Sequence, residues 1–220
     1  MLPNDSFETA QWAIDYIGLP DVWVYERGSN LVKVGVIDSG VDGTHPDLRD
    51  NINTSLSKCF SPDFSNPLED NTGHGTHVAG IIGAEANNSI GIAGTCWNIS
   101  IVSLRVGTKE GKFNVDAVLQ AISYATVNDI DILNYSGGSY TYRESYKEAI
   151  DNYPGLFVCA AGNEHTNNDV TPHYPSNYDL SNVIAVGSLD SYGNRSSYSN
   201  YGTTVDIYAP GGDILSTYPM

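Results

Sequence analysis

The chain has 220 residues, with 26 acidic against 10 basic side chains and a formal net charge of −16. Phosphates and anionic headgroups repel such a surface, which argues against a nucleic acid or an acidic membrane as partner. A hydrophobic fraction of 40% is ordinary for one globular domain with a sizeable core, and no apolar stretch approaches the ~20 residues of a membrane span.

The opening segment Met1-Leu2-Pro3-Asn4-Asp5-Ser6 has neither the basic region nor the apolar core of a signal peptide. The first strand is expected over Leu31–Ile37, an apolar run that ends in Asp38-Ser39-Gly40. Residues 50–73 are rich in Asn, Asp, Ser and Pro and read as a loop. Residues 75–86 are small and apolar, which suits a tightly packed helix starting just after His74. Further strands are expected over Ile101–Val106, Ile130–Tyr135, Leu156–Ala161 and Val183–Gly187. Between them, Val115, Val118, Leu119, Ile122 and Ala125 recur at helical spacing over 114–128, and 143–152 is a more polar helix stopped by Pro154. Near-continuous apolar strands alternating with helices imply an α/β fold whose parallel sheet is covered on both faces. In such sheets functional groups collect at the carboxyl ends of strands, where Asp38 lies.

Three cysteines, Cys59, Cys96 and Cys159, forbid complete internal pairing. Cys159 lies in an apolar strand and packs as a small hydrophobe. Cys59 and Cys96 occupy loop-like segments that leave a disulfide open, and no Cys or His spacing reads as a metal site. Six Asn-x-Ser/Thr sequons, at Asn4, Asn53, Asn87, Asn98, Asn134 and Asn194, give slight support for secretion.

The chemistry is carried by three runs. Asp38-Ser39-Gly40 follows an apolar strand, His74 opens Gly75-Thr76-His77-Val78-Ala79-Gly80, and Ala160-Ala161-Gly162-Asn163 closes another strand. Alone, Asp-Ser-Gly is a common turn, a histidine at a helix start is often structural, and Gly-Asn suits a left-handed turn. Together, a carboxylate that fixes one imidazole nitrogen leaves the other free to remove a hydroxyl proton. An asparagine amide after a strand can donate to a developing oxyanion.

In this order and over nearly the whole chain, these runs resemble the subtilisin-like serine proteases, in which aspartate, histidine and serine follow one another along the chain. The resemblance implies a three-layer α/β fold with a mostly parallel sheet flanked by helices, forming a single peptidase domain. It implies a serine endopeptidase acting through an acyl-enzyme, with Asp38 as orienting acid, His74 as general base and Asn163 as oxyanion donor. His77 matches the family's second, structural histidine. A polypeptide substrate is expected to add as a strand along Ser136-Gly137-Gly138 and Ala160-Ala161-Gly162. Gly137 stands where the family commonly has leucine, which is expected to widen or soften the first specificity pocket. A second edge strand is expected near Lys109–Phe113.

The run Asn87-Asn88-Ser89-Ile90-Gly91-Ile92-Ala93-Gly94 resembles the family's calcium loop. The implied structural Ca²⁺ ligands are the Asn88 side chain, the Ala86, Ile90 and Ile92 carbonyls and the Asp47 carboxylate, with Asp5 adding another. An N-terminal propeptide inhibitor and a secreted location are family expectations. The nucleophile's Gly-Thr-Ser-Met-Ala type of segment does not occur in the chain, and Ser136, Ser139 and Ser216 do not match it. The reading is therefore a peptidase domain that stops short of its nucleophile, with Ser beyond residue 220 and no hydrolysis by the 220 residues alone. The alternative is an inactive relative serving as a peptide-binding or decoy module.

Overall fold

The structure, a computed structural model, describes residues 2–220. The chain forms two compact units, one running through Ala121 and including Ile214–Met220, the other Ile122–Asp213.

In the first unit β1 (Lys33–Asp38) and β2 (Lys58–Cys59) both pair in parallel with β3 (Ser100–Arg105). Every residue of β3 is buried, as is all of β1 after Lys33. Burial on both faces is why these strands read as near-continuous apolar runs rather than alternating ones, with Ser100, Ser103 and Arg105 the buried polar members of β3. Registers Asp38↔Arg105 and Cys59↔Arg105 bring the three carboxyl ends level. β1 starts two residues later than expected because Leu31 is 84% exposed, outside the sheet's cover.

Helix α3 (His74–Gly83) begins at His74 itself. Short helices α1 (Trp12–Tyr16) and α2 (Leu19–Val22) follow a 3₁₀ turn at Glu8–Ala10. They are too short to display a helical period and have no counterpart in the sequence expectations. Ile14, Leu19 and Trp23 pack against Ala93 and Trp97 as a satellite core, and the Trp23 indole donates to the Thr95 carbonyl at 2.9 Å. This core anchors the N-terminal segment beside the loop at 86–92.

Helix α4 (Val115–Val127) buries Ala117, Val118, Ala121, Ile122 and Ala125, and the Asn114 side chain caps it by accepting the Ala117 N–H at 3.0 Å. In the second unit β4 (Ile132–Tyr135), β5 (Leu156–Ala160), β6 (Val183–Leu189) and β7 (Ile207–Pro210) pair in parallel in that order. Helix α5 (Glu144–Asp151) buries Tyr146 and Ile150. Tyr146 meets Tyr135 and Tyr178 edge-on, with ring centroids 6.2 and 6.0 Å apart. β7 has no counterpart in the expectations, because its Ile207 is exposed and a proline ends it, the signature of an edge strand.

The Cys59–Cys96 bridge does not form, and all three thiols are free. Cys59 pairs with the last residue of β3, whereas Cys96 precedes its first residue, Ser100. At ~3.3 Å per strand residue the two lie at opposite ends of β3, well beyond the ~7 Å a disulfide spans. The Cys59 Sγ–H donates instead to the Phe64 carbonyl.

Candidate active site

In the first unit, two backbone events place the charged pair. Strand β1 ends at Asp38, whose carboxylate is fully buried. After Gly73, held in the left-handed region at φ 86°, the chain turns into α3 with His74 as its first residue. The His74 Nδ1 lies 2.8 and 2.9 Å from the two Asp38 oxygens, and the Ser39 N–H donates to Asp38 Oδ1 at 2.7 Å. A buried carboxylate can only accept here, so Nδ1 carries the proton and Nε2 holds the free lone pair. The hydrogen bond to Asp38 holds the His74 pKa above its ordinary value of 6.5; burial opposes this, and the charges of Asp38 and Asp70 add to the rise. The His74 side chain is 53% exposed, and its Nε2 has no partner among the described residues. A base with one nitrogen clamped and the other open to solvent is arranged to take a proton from an arriving group.

Close approach here depends on missing side chains. A Cβ on Gly75 would lie 2.0 Å from the Gly40 carbonyl oxygen and 3.1 Å from the Asp38 Cβ. His77 is turned away from the pair: its Nε2 lies 3.1 Å from the Ile214 carbonyl, and its own carbonyl accepts from Ser216 Oγ at 2.6 Å. The expected edge strand at Lys109–Phe113 is a tight turn instead, closed by Thr108 N–H to the Lys112 carbonyl at 2.7 Å and by a Gly107–Phe113 bridge. The Phe113 ring sits 6.4 Å from that of His74.

In the second unit, Ser136, Gly137 and Gly138 follow β4, while Ala161, Gly162 and Asn163 follow Ala160 at the end of β5. Gly162 has φ 112°, and a Cβ there would lie 2.2 Å from the Asn200 Nδ2. Asn200 and Asn168, both fully buried, brace this segment. Asn168 donates to the Ala161 carbonyl at 2.9 Å, Asn200 donates to Asn168 at 3.0 Å, and the Asn200 oxygen accepts the Glu164 and Thr166 N–H groups. The Asn163 N–H donates to Glu164 Oε2, which also accepts from the Tyr140 hydroxyl. The Asn163 side chain is exposed and has no partner among the described residues, so its amide is free to donate outward. The His173 ring is packed against Gly138, where a Cβ would come within 2.2 Å of it. His173 is buried, bonded to Ser176 Oγ at 3.0 Å, and edge-on to Tyr140.

The loop at 86–92 is built from polar groups. Asn87, Ser89 and Gly91 have φ of 63°, 71° and 56°. Buried Asp5 accepts the Asn87 and Asn88 N–H groups at 2.8 and 3.0 Å. Buried Asp47 accepts from the Asn88 amide at 2.8 Å and from the Ile92 N–H at 2.9 Å. Burial pushes the Asp47 carboxyl up to about 6 against these two hydrogen bonds, with the Asp5 and Glu85 charges adding to the rise. No group of three or more His, Cys, Asp or Glu side chains gathers among the described residues. Any cation here therefore depends on amide and backbone oxygens, and the Ala86, Ile90 and Ile92 carbonyls accept no hydrogen bond among the described residues. Two buried carboxylates, an amide oxygen and three unengaged carbonyls form a hard-oxygen donor set of the kind calcium takes.

Three bracing residues have no part in the sequence reading: Asp70, Asn168 and Asn200. The only trace of Asp70 is its place four residues before His74 in a turn-forming run. Asn200 carries no local signal, since its side-chain partners lie 32 or more positions away, and Asn168 reads in sequence like any polar loop residue.

The subtilase family model matches residues 29–220. Thermitase of Thermoactinomyces vulgaris is 38% identical over 221 residues, covering 99% of this chain and 76% of that protein. Subtilisin E of Bacillus subtilis (strain 168) is 40% identical over 196 residues, covering 87% of this chain and 49% of its own length. The chain thus spans about half of some of its curated relatives. A solved protease structure from Pseudoalteromonas arctica PAMC 21717 has a TM-score of 0.84 at 28% identity, covering 99% of this chain and 74% of that one.

Proposed function

We propose that this chain, which belongs to the subtilase family of serine proteases, carries the base and oxyanion halves of a serine endopeptidase site. The observation that carries the reading is the buried Asp38 carboxylate bonded through both oxygens to the Nδ1 of His74, whose Nε2 is left free. His74 takes the nucleophile's proton and returns it to the leaving amine. Asp38 fixes the tautomer and stabilises the imidazolium, which a fully buried acceptor does at short range. The Asn163 amide, rigidly based and unpartnered, donates to the oxyanion of the tetrahedral intermediate. A polypeptide adds as a strand along 136–138 and 160–162, whose alternating pockets select side chains. The serine that forms and releases the acyl ester is not among residues 1–220 and is assigned to sequence outside them, so these residues alone do not turn over peptide.

The 86–92 loop, with Asp5, Asp47, Asn88 and the carbonyls of Ala86, Ile90 and Ile92, is proposed to hold a structural Ca²⁺ that neutralises two buried carboxylates. A secreted location and an N-terminal propeptide inhibitor belong to the same reading. Among the described residues no helix is long and apolar enough to cross a membrane.

The test is hydrolysis of a peptide amide by the protein including its nucleophile segment, with His74→Ala and Asp38→Ala as comparisons. Loss of turnover by about 10⁴-fold or more in both supports the reading. Turnover that survives His74→Ala overturns it. A wild-type protein that binds peptide without cleaving it turns the reading to the binding module.

A further inference from the structure

We propose that Asp70 is a positioning residue for the Asp38–His74 pair, fixing the start of α3 against the end of β1. The inference rests on the reading of that pair as catalytic. A helix start leaves its first N–H groups without intrahelical partners, and a side chain at the N-cap ordinarily takes one of them. Here the N-cap is Gly73, which has no side chain to offer. The work passes to other side chains, among them Thr72, whose Oγ1 accepts the His74 N–H at 3.4 Å. Ser39 Oγ accepts the Gly75 N–H at 3.0 Å, and Asp70 Oδ2 accepts the Thr76 N–H at 2.9 Å.

The two are joined, since Ser39 Oγ donates to Asp70 Oδ1 at 2.9 Å. Asp70 Oδ1 also accepts the Gly73 N–H at 3.0 Å, the Thr72 N–H at 3.1 Å and the Thr72 hydroxyl at 3.2 Å, while Oδ2 accepts the Thr76 hydroxyl at 2.8 Å. Six donors thus converge on one buried carboxylate, far more than a cap needs. Thr76 Oγ1 in turn accepts the Asp42 N–H at 3.0 Å, a second tie to the segment after β1.

His74 lies between the tethered residues Gly73 and Gly75, and Asp38 lies directly before the tether Ser39. The distance from His74 Nδ1 to Asp38 is therefore set by groups that share Asp70 as their common acceptor. The loop that carries Asp70 is itself pinned. The guanidinium of buried Arg105 bonds the Asn66 carbonyl and Asn71 Oδ1 at 2.9 and 2.6 Å and stacks 3.7 Å over the Phe64 ring. The charges around the pair are Asp38, Asp70 and, behind Asp70, Arg105 and Glu69. The negative end nearest α3's first turn also suits the helix dipole.

The test is Asp70→Asn, read by NMR of the His74 ring in this chain, which needs no turnover. The neutral amide keeps the shape and loses half of the acceptors. The expected result is a weakened or exchange-broadened His74 Nδ1 proton signal and a proton affinity for His74 lowered by about three-fold or more. Leu133→Ala, in β4 of the other unit, lowers Tm without moving the His74 titration and serves as the control for mere destabilisation. If Asp70→Asn does not fold, Ser39→Ala is read in its place, since it cuts the tether and leaves the charge. An unchanged His74 signal and titration in the folded variant overturns the proposal. A protein that includes its nucleophile segment and still fails to cleave peptide, while Asp70→Asn shifts His74 in this chain, overturns the catalytic reading and leaves the positioning role standing.

Discussion

Gly75→Ala gives the sharpest test of how the pair is assembled. At an unencumbered helix position this change gains ~1 kcal/mol, because alanine is the better helix former. At Gly75 the new methyl carbon would lie 2.0 Å from the Gly40 carbonyl oxygen, against an ordinary contact of 3.4 Å or more. It would also press on the Asp38 Cβ and Oδ1, at 3.1 and 3.2 Å. Neither side has room to retreat. Gly40 is held at φ 115° with the Glu69 carbonyl oxygen behind it, and the Gly75 N–H is bonded to Ser39 Oγ. Overpacking of this kind costs about 1–3 kcal/mol, and a backbone oxygen between two fixed elements puts this case at the upper end. After the propensity gain the net loss is ~2 kcal/mol, or about 4–8 °C in Tm for a chain of this size. Relieving contacts with both Gly40 and Asp38 is expected to move the start of α3 away from β1, so the 2.8 and 2.9 Å contacts lengthen and the His74 pKa falls towards 6.5. Scanning calorimetry and NMR titration of His74 read the two effects separately. A variant of equal or higher Tm with an unshifted His74 refutes the reasoning.

Other outcomes follow from the same geometry. Asp38→Asn lowers the His74 pKa, since the hydrogen bond to Asp38 is the main cause of its rise. A raised folded value means that the pair's stabilisation is fully present below about 6.5 and is lost as pH climbs through the raised value. The wild type should therefore lose a small increment of stability in that window that Asp38→Asn does not, seen as converging Tm curves. In the complete protein the acid limb of kcat/KM should fall at a pH above 6.5, because only neutral His74 acts as base. Asn163→Ala should cut kcat about 10²–10³-fold with little change in KM, the range established for such a donor in a subtilisin, while leaving Tm nearly untouched because the side chain is exposed and unpartnered. Gly138→Ala should destabilise by about 1–3 kcal/mol, since its Cβ would meet the His173 ring at 2.2 Å and the Tyr174 carbonyl at 2.7 Å; differential scanning calorimetry checks it, and a neutral result refutes the packing. Chelation at pH 7 should lower Tm by about 5–10 °C if the cation is present at ~100 times its Kd, and Asp47→Asn should abolish most of that difference.

The sequence by itself determined the elements whose signals are local. β3 read correctly because burial on both faces demands a near-continuous apolar run, β5 because its residues are all apolar although only alternate ones are fully buried, and α4 because its apolar residues recur on one face. Asp38 and His74 were legible as a pair through the order and resemblance of their motifs, in runs whose glycines and small residues allow close approach. Only the tertiary structure decided the rest. The satellite helices at 12–22 became helices by packing Ile14, Leu19 and Trp23 onto Ala93 and Trp97, contacts some seventy residues away that no local period announces. Cys59 and Cys96 stayed apart because β3 separates them lengthwise. Next to Gly137, the buried His173 ring packed against Gly138 is a feature no local pattern carries. Asp70, Asn168 and Asn200 brace the start of α3 and the segment after β5 through hydrogen bonds that span 31 to 36 positions. Polar residues in a loop look alike in sequence. Which of them is buried, and therefore obliged to find every one of its partners, is settled when the chain closes over it.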